Sequence, residues 1–413
     1  MQRSHIVRPA AMVWGAVVYM PVGVNYLGFA LVLAALLLAG QWRERASRVR
    51  AHALWWPVAA YVAWTFIVLA LGPHYPQTPS NLAHGLRIAA TLLMALALTR
   101  EEALWALRGF VAVTLLNLVM IALYYTVGFP VYEAWRGTLM EVGNKSISNA
   151  LLFAVFGASA AVLGFAWLAA RRWGPAVAAF AFPVAVAVVD ATALISRTAV
   201  LGLLVAVALA ALHQWRRRLH LVAPALLLGG ALAAAALWQA PAIQTKMALG
   251  LQELEAAQAG AVSKGSWVIR FYMYRDTARM IADRPLAGWG IGGWTDQWHL
   301  RGPALLADSN MPHNDFLWMG AQAGVPGALS LLVIMGVGLW LAWHRRDLTG
   351  RLALVAMLVL MLATSVNSAL RDAQIGLSLL WVAMLYLRLA GEPDEPWREL
   401  APRLRAIRRS RAA

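Results

Sequence analysis

The chain has 413 residues, 61% hydrophobic and 13% charged, well under the roughly 25% charged of soluble globular domains. It has no cysteine and a formal net charge of +16 at pH 7. A soluble fold could not bury so many long apolar runs, and without cysteine no disulfide framework is available.

In chain order, apolar runs at 6–20, 22–41, 53–71, 83–99, 102–127, 146–170, 175–194, 197–213 and 221–239 predict nine transmembrane helices within 1–239. The first run follows MQRSHIVR and lacks a small-residue cleavage site, so it is expected to stay as an anchor. Residues 240–312 form the largest non-membrane stretch. Within it KMALGLQELEAAQAG has helical spacing, WVIRFYMYRDTARMIADRP reads as an amphipathic helix ended by Pro285, and AGWGIGGW is a glycine-rich turn. Packing through Trp267, Trp289, Trp294 and Trp298 is expected to hold this loop. Runs at 313–343, 351–368 and 374–390 supply three more spans within 313–390, and 391–413 is a basic tail. The fold class is all-α: a polytopic transmembrane bundle of about twelve spans with a helical outer loop.

Charge fixes an orientation. QWRERASRVR, RRW at 171–173, QWRRRLH at 214–220, HRR at 344–346 and RLRAIRRSR all fall on one side of that arrangement. GPHYPQTPSN at 72–81, on the other side, has no Lys or Arg. The positive-inside rule then makes the basic connections and both termini cytoplasmic, with 240–312 outside. The charge excess is thus a topology signal and an attraction to anionic membrane lipid, not a nucleic-acid site.

Basic residues on the outer side run against this bias and are candidates for anion binding. Those singled out are Arg197 in LISRTAVLG, Arg270 and Arg275 on the amphipathic loop helix, and Arg136 and Lys145 between the fifth and sixth spans. Each also has a plainer reading: Arg197 can snorkel to headgroups, and the others can be solvated surface charge. Arginine holds phosphate oxygens bidentately and keeps its charge, which suits a lipid-linked diphosphate. Asp308 and Asp315 flank His313 but are too few for a metal site, and no metal or other cofactor is expected. His313 and Asn314, in SNMPHNDFLWMGAQAG, stand at the mouth of a span. An imidazole of unperturbed pKa about 6.5 suits a general base, although Pro312 and Asn314 also read as helix-capping chemistry. Gly320, Gly324 and Gly327 would let a neighbouring helix or lipid chain approach closely.

HNDFLWMGAQAGVPG resembles the signature of the O-antigen ligase family, in which His-Asn is followed by a glycine at the spacing of His313, Asn314 and Gly324. RFYMYRDTARMIADRPLAGWGIGGW resembles the family's arginine-bearing outer loop, through Arg284, Pro285, Leu286, Gly288, Gly290, Gly292 and Trp294, and SRTA at 196–199 resembles a third family position. The resemblance implies a GT-C-like glycosyltransferase architecture in a Gram-negative inner membrane, with its active site facing the periplasm. It implies transfer of a polysaccharide from undecaprenyl diphosphate to a sugar hydroxyl of lipid A-core, with inversion and without metal. His313 would be the base. Arg197 and Arg270 would stabilise the departing diphosphate, with Arg275, Arg136 and Lys145 extending that site. A polysaccharide polymerase or a protein O-oligosaccharyltransferase would use the same donor. A transporter or flippase would instead show mid-span charges and two similar halves, which the chain lacks apart from Asp190 near a span end.

Overall fold

The computed structural model describes residues 3–130, 133–134, 137, 146–239 and 241–393. Sixteen α-helices and three short 3-10 turns make up the described elements, and no strand occurs among them. In chain order the helices are α1 (Val7–Val17), α2 (Val22–Ala39), α3 (Trp42–Ala51), α4 (Trp55–Leu71), α5 (Thr78–Ala97), α6 (Arg100–Val127), α7 (Ser146–Ala169) and α8 (Trp173–Thr192). There follow α9 (Arg197–Gln214), α10 (Leu219–Trp238), α11 (Pro241–Gln258), α12 (Ser266–Asp283), α13 (Gly293–Arg301), α14 (Asp315–His344), α15 (Leu348–Asn367) and α16 (Ala373–Ala390). Helix is the solution lipid imposes, because each backbone N–H and C=O must find its partner within the segment.

All twelve expected runs coincide with helices. Among the described residues eight of them, α2, α6, α7, α8, α9, α14, α15 and α16, are long and apolar enough to cross a membrane, and α3 with α4 forms a ninth candidate bent by 95°. The protein is a multi-pass membrane protein. The run at 6–20 yields only the 11 residues of α1, about 16 Å at 1.5 Å per residue, too short for a core of about 30 Å. The expected span 83–99 is the helix Thr78–Ala97, which begins in polar residues. At the centre α16 is buried along almost its whole length, flanked by α7 and α15, which are buried along most of theirs.

The connection QWRERASRVR is not a loop but α3, whose composition is strongly polar. It folds because one face finds a counter-charge. Arg45 makes a two-pronged ion pair with Glu102 (Nη2–Oε1 2.8 Å, Nη1–Oε2 2.9 Å), both side chains being almost fully buried. Glu102 also accepts the Thr99 N–H in the capping box that starts α6. The carbonyl of Ala97, freed at the end of α5, accepts from Arg45 and Arg48, and that of Leu98 accepts from Arg388. Arg345 reaches Ala390 O, and His213 bonds Trp343 O. Those contacts gather α3 and the basic connections after α9 and α14 at one end of the bundle, with the end of α16. The opposite end holds residues 72–81, α11 to α13 and the start of α14, and is called the site end below.

Removing one partner of a buried ion pair leaves the other uncompensated, which typically costs about 3–5 kcal/mol. Arg45→Ala is therefore expected to lower the melting temperature of the detergent-purified protein by several degrees, while Arg43→Ala, on the exposed face of α3, leaves it unchanged. Equal melting of Arg45→Ala and wild type would show that the pair does not anchor α3.

Candidate functional site

The site is built on a break in α14. Ala323 (φ −125°, ψ 17°) and Gly324 (φ 70°, ψ −175°) leave the helical region, and Pro326 follows. A break frees carbonyls that lipid cannot satisfy. Here the glycine-rich turn satisfies them: Trp289 N–H donates to Ala321 O (2.8 Å), and Gly290 N–H to Gln322 O (3.0 Å). The Trp64 indole of α4 donates to Ala323 O (2.7 Å), and Val325 N–H donates back to Pro285 O (2.7 Å). The Gln322 side chain accepts from Gly292 N–H.

Glycine is required where these backbones meet. A Cβ on Gly324 would lie 2.2 Å from Leu286 O, and one on Gly288 (φ 65°) would lie 2.5 Å from the Gln322 carbonyl carbon. Close approach at Gly324 was expected of a helix or lipid chain; the partner is the Pro285–Leu286 backbone. Gly320 does face a helix, through Ile281 of α12.

The same turn fastens the outer helices. The Trp289 indole donates to Met280 O (2.8 Å), Trp294 to Thr277 Oγ1 (2.8 Å) and Trp298 to Leu306 O (3.0 Å), with the Trp294 and Trp298 rings stacked 5.5 Å apart. Tyr75 and Thr78, before and at the start of α5, donate to Trp289 O and Ile291 O (2.6 Å each). Trp267 packs against Gly250 of α11. Thus the four tryptophans singled out in the sequence all pack, and three also hydrogen-bond, so α12 is held beside the mouth of α14.

At that mouth His313 adopts a left-handed backbone (φ 54°) that few non-glycine residues take, and its side chain is half-buried. Its carbonyl accepts from the Tyr274 hydroxyl (3.2 Å), which also reaches Ser365 O at the end of α15 (3.4 Å). Burial pushes the Tyr274 phenol above its ordinary range, and nearby Arg270 works against that rise. Asn314 is the N-cap of α14: its Oδ1 accepts from Leu317 N–H (3.0 Å) while Nδ2 donates to Ser365 O (2.8 Å). The capping reading of the motif holds for Asn314.

Asp315 is fully buried and spends both oxygens on the turn between α15 and α16, accepting Leu370 N–H (2.8 Å) and Arg371 N–H (3.0 Å). Arg87 of α5 grips the same turn from the other side, donating to Leu370 O and Arg371 O (2.8 Å each) as well as to Tyr26 and His84. Neither Arg87 nor Arg371 stood out in the sequence. The signal available was that both are arginines at the site end, where the positive-inside rule disfavours them.

The expected cations separate in space. Arg270 is half-buried beside Tyr274, with Nη1 on Ser266 O (3.1 Å). Arg275, five residues on, turns to Asp276 (2.7 and 3.0 Å) and over the Tyr272 ring (4.6 Å), and the bond to Asp276 holds its pKa above the ordinary arginine value. Arg197 is exposed at the first position of α9, which packs against α15, and Ser196 caps that helix. Arg136 and Lys145 lie outside the described residues. Together, Arg270, Tyr274, His313 and Asn314 form one contiguous cluster.

The chain is thus a helical multi-pass membrane protein with an outer helical segment locked over a His-Asn span mouth. Residues 182–332, from the second half of α8 to the middle of α14, match the family model described as O-antigen ligase. The match spans SRTA, α12, the glycine turn, His313 and Gly324, and supports a ligase- or polymerase-type activity in lipopolysaccharide assembly. A comparison with curated proteins gave no match.

The lock is testable. Gly324→Ala would place a Cβ against Leu286 O and hold a non-glycine residue at φ 70°, a backbone cost alone of roughly 1–2 kcal/mol. Limited proteolysis within 259–266 is expected to speed up about tenfold or more. Gly336→Ala, on the same helix with nothing within 4 Å of its Cβ, should digest as wild type does. Identical digestion of both variants would refute the lock.

Proposed function

We propose that the protein is the ligase itself, moving a completed polysaccharide from undecaprenyl diphosphate to a sugar hydroxyl of lipid A-core at the periplasmic face of the inner membrane. The observation that carries this reading is the joining of His313, Tyr274 and Arg270 at the bundle end opposite the basic connections. By the positive-inside rule those connections are cytoplasmic, so the cluster faces the compartment where a lipid-linked polymer would be handed over.

The chemistry follows from the residues. His313 takes the proton of the acceptor hydroxyl as that oxygen attacks the anomeric carbon, and the diphosphate leaves from the opposite face, so the centre is inverted. The Tyr274 and Asn314 bonds to the His313 and Ser365 carbonyls fix the backbone from which the imidazole projects. Arg270 stabilises charge growing on the leaving diphosphate, and Arg197 supplies a second cation from α9. Arg275, already engaged by Asp276, extends the field of this site more than it offers free donors. Arg136 and Lys145 keep their assignment to the same donor site. No metal enters this scheme: the leaving group is already activated, and both Asp315 oxygens are occupied by backbone N–H groups.

A deletion strain decides between acceptors. For a ligase, the banded lipopolysaccharide ladder disappears and lipid-linked polymer accumulates. A core carrying a single repeat would mean a polymerase instead. Intact lipopolysaccharide with loss of glycosylated protein would mean transfer to protein.

In purified enzyme, His313→Ala should lower transfer by about 10²–10⁴-fold, the usual worth of a general base, while donor binding is kept. Near-normal transfer by a well-folded His313→Ala protein would move the base elsewhere.

A further inference from the structure

The turn 368–372 is restrained far beyond what joining α15 to α16 requires. Asp315 takes the N–H groups of Leu370 and Arg371, Arg87 takes their carbonyls, and Asp372 caps α16 through Gln374 and Ile375 N–H (3.0 and 3.1 Å). A buried cation from α5 and a buried anion from α14 thereby fix all four backbone polar groups of two successive residues. What leaves this fixed point is the side chain of Arg371.

Arg371 differs from the arginines around α12 and α13 whose charge is matched. Arg275 and Arg279 pair with Asp276, Arg301 pairs with Asp283, and Arg284 lies over the Trp289 ring. Arg371 is half-buried and makes no ion pair among the described residues. Its Nη1 lies 3.5 Å from Asn310 Oδ1, at the limit of a hydrogen bond, and its buried Nε has no partner. Burial pulls its pKa down, offset in part by the fields of Asp315 and Asp372. Holding a desolvated guanidinium without a matched carboxylate is costly unless an anion completes it. Its position brackets the His313 motif: Asp315 and Asn310, its neighbours, lie two residues after and three before His313.

Resting on the ligase reading above, we propose that Arg371 is a phosphate-binding residue of the donor site, donating to diphosphate oxygens, with Arg87 and Asp315 as the positioning residues that hold its backbone. Arg270 on α12 and Arg371 on the α15–α16 turn then approach the His313 site from two different elements. A planar five-donor fork suits that contact better than an ammonium does.

The test measures binding of undecaprenyl diphosphate to the full-length protein in detergent, beside melting temperature. Arg371→Gln is expected to weaken binding about 10- to 100-fold, the worth of a charge-assisted hydrogen bond, with little change in melting. Arg371→Lys should fall in between. Asp315→Asn combined with Arg371→Gln should bind no more weakly than Arg371→Gln alone, since Asp315 acts through Arg371. Should Arg371→Gln fail to fold, Arg371→Lys decides, and binding equal to wild type then overturns the proposal. Wild-type affinity in folded Arg371→Gln overturns it while leaving the ligase reading intact. An equal loss of affinity for phosphatidylglycerol overturns the donor assignment in favour of a general headgroup contact. Wild-type protein that does not bind undecaprenyl diphosphate at all removes the ligase reading, and this proposal with it.

Discussion

The break in α14 at Ala323–Gly324 is the constraint on which the site end depends. Three carbonyls released in an apolar setting must be answered, and the answers come from Trp289, Gly290 and Trp64. Because two of these donors belong to one glycine-rich turn, satisfying the break also docks that turn. Docking the turn positions α12 through Trp289 and Trp294, and α12 brings Tyr274 to the carbonyl of His313. A local defect in one span thus sets the geometry of residues far away in sequence. Gly288 and Gly324 are needed for the same reason, since each occupies space that the other strand of backbone leaves free.

Charge organises the molecule at two scales. Among the described residues, runs of adjacent arginines collect at one end, while the arginines of the other end stand singly. Within the bundle, individual ions are spent on backbone. Arg45 and Glu102 hold the end of α5 and the start of α6, while Arg87 and Asp315 hold the turn before α16. In both places a cation takes exposed carbonyls and an anion takes exposed N–H groups. Charged residues here do the work that water does at the ends of soluble helices.

The apolar runs, the amphipathic α12, the glycine turn and the His-Asn cap were legible because each is written in contiguous residues. Periodicity reveals α12, and Pro285 reveals its end. The lock between Gly288 and Gly324 was legible only as two separate motifs, since neither carries a mark of the other. α3 was hidden by its own polarity: read alone it is a charged connection, and the residue that makes it fold, Glu102, is 57 positions away from Arg45. Arg87 was hidden still more deeply. It lies in the run AHGLRIAA, and its purpose appears only when Leu370, 283 residues later, is brought beside it. Sequence reading ranked arginines by which loop they occupy, and so picked out Arg275, whose charge is already matched, and passed over Arg371, whose charge is not.

Fastening the outer segment to a span by backbone hydrogen bonds makes α12 a wall and not a door. On the reading proposed above, a lipid-linked donor would reach a site beside such a wall by moving in the plane of the bilayer. Molecules tethered to long hydrocarbon tails search that plane in two dimensions, so encounter would be governed by lateral diffusion. The enzyme's throughput would then respond to bilayer fluidity and thickness even when no residue near His313 has changed.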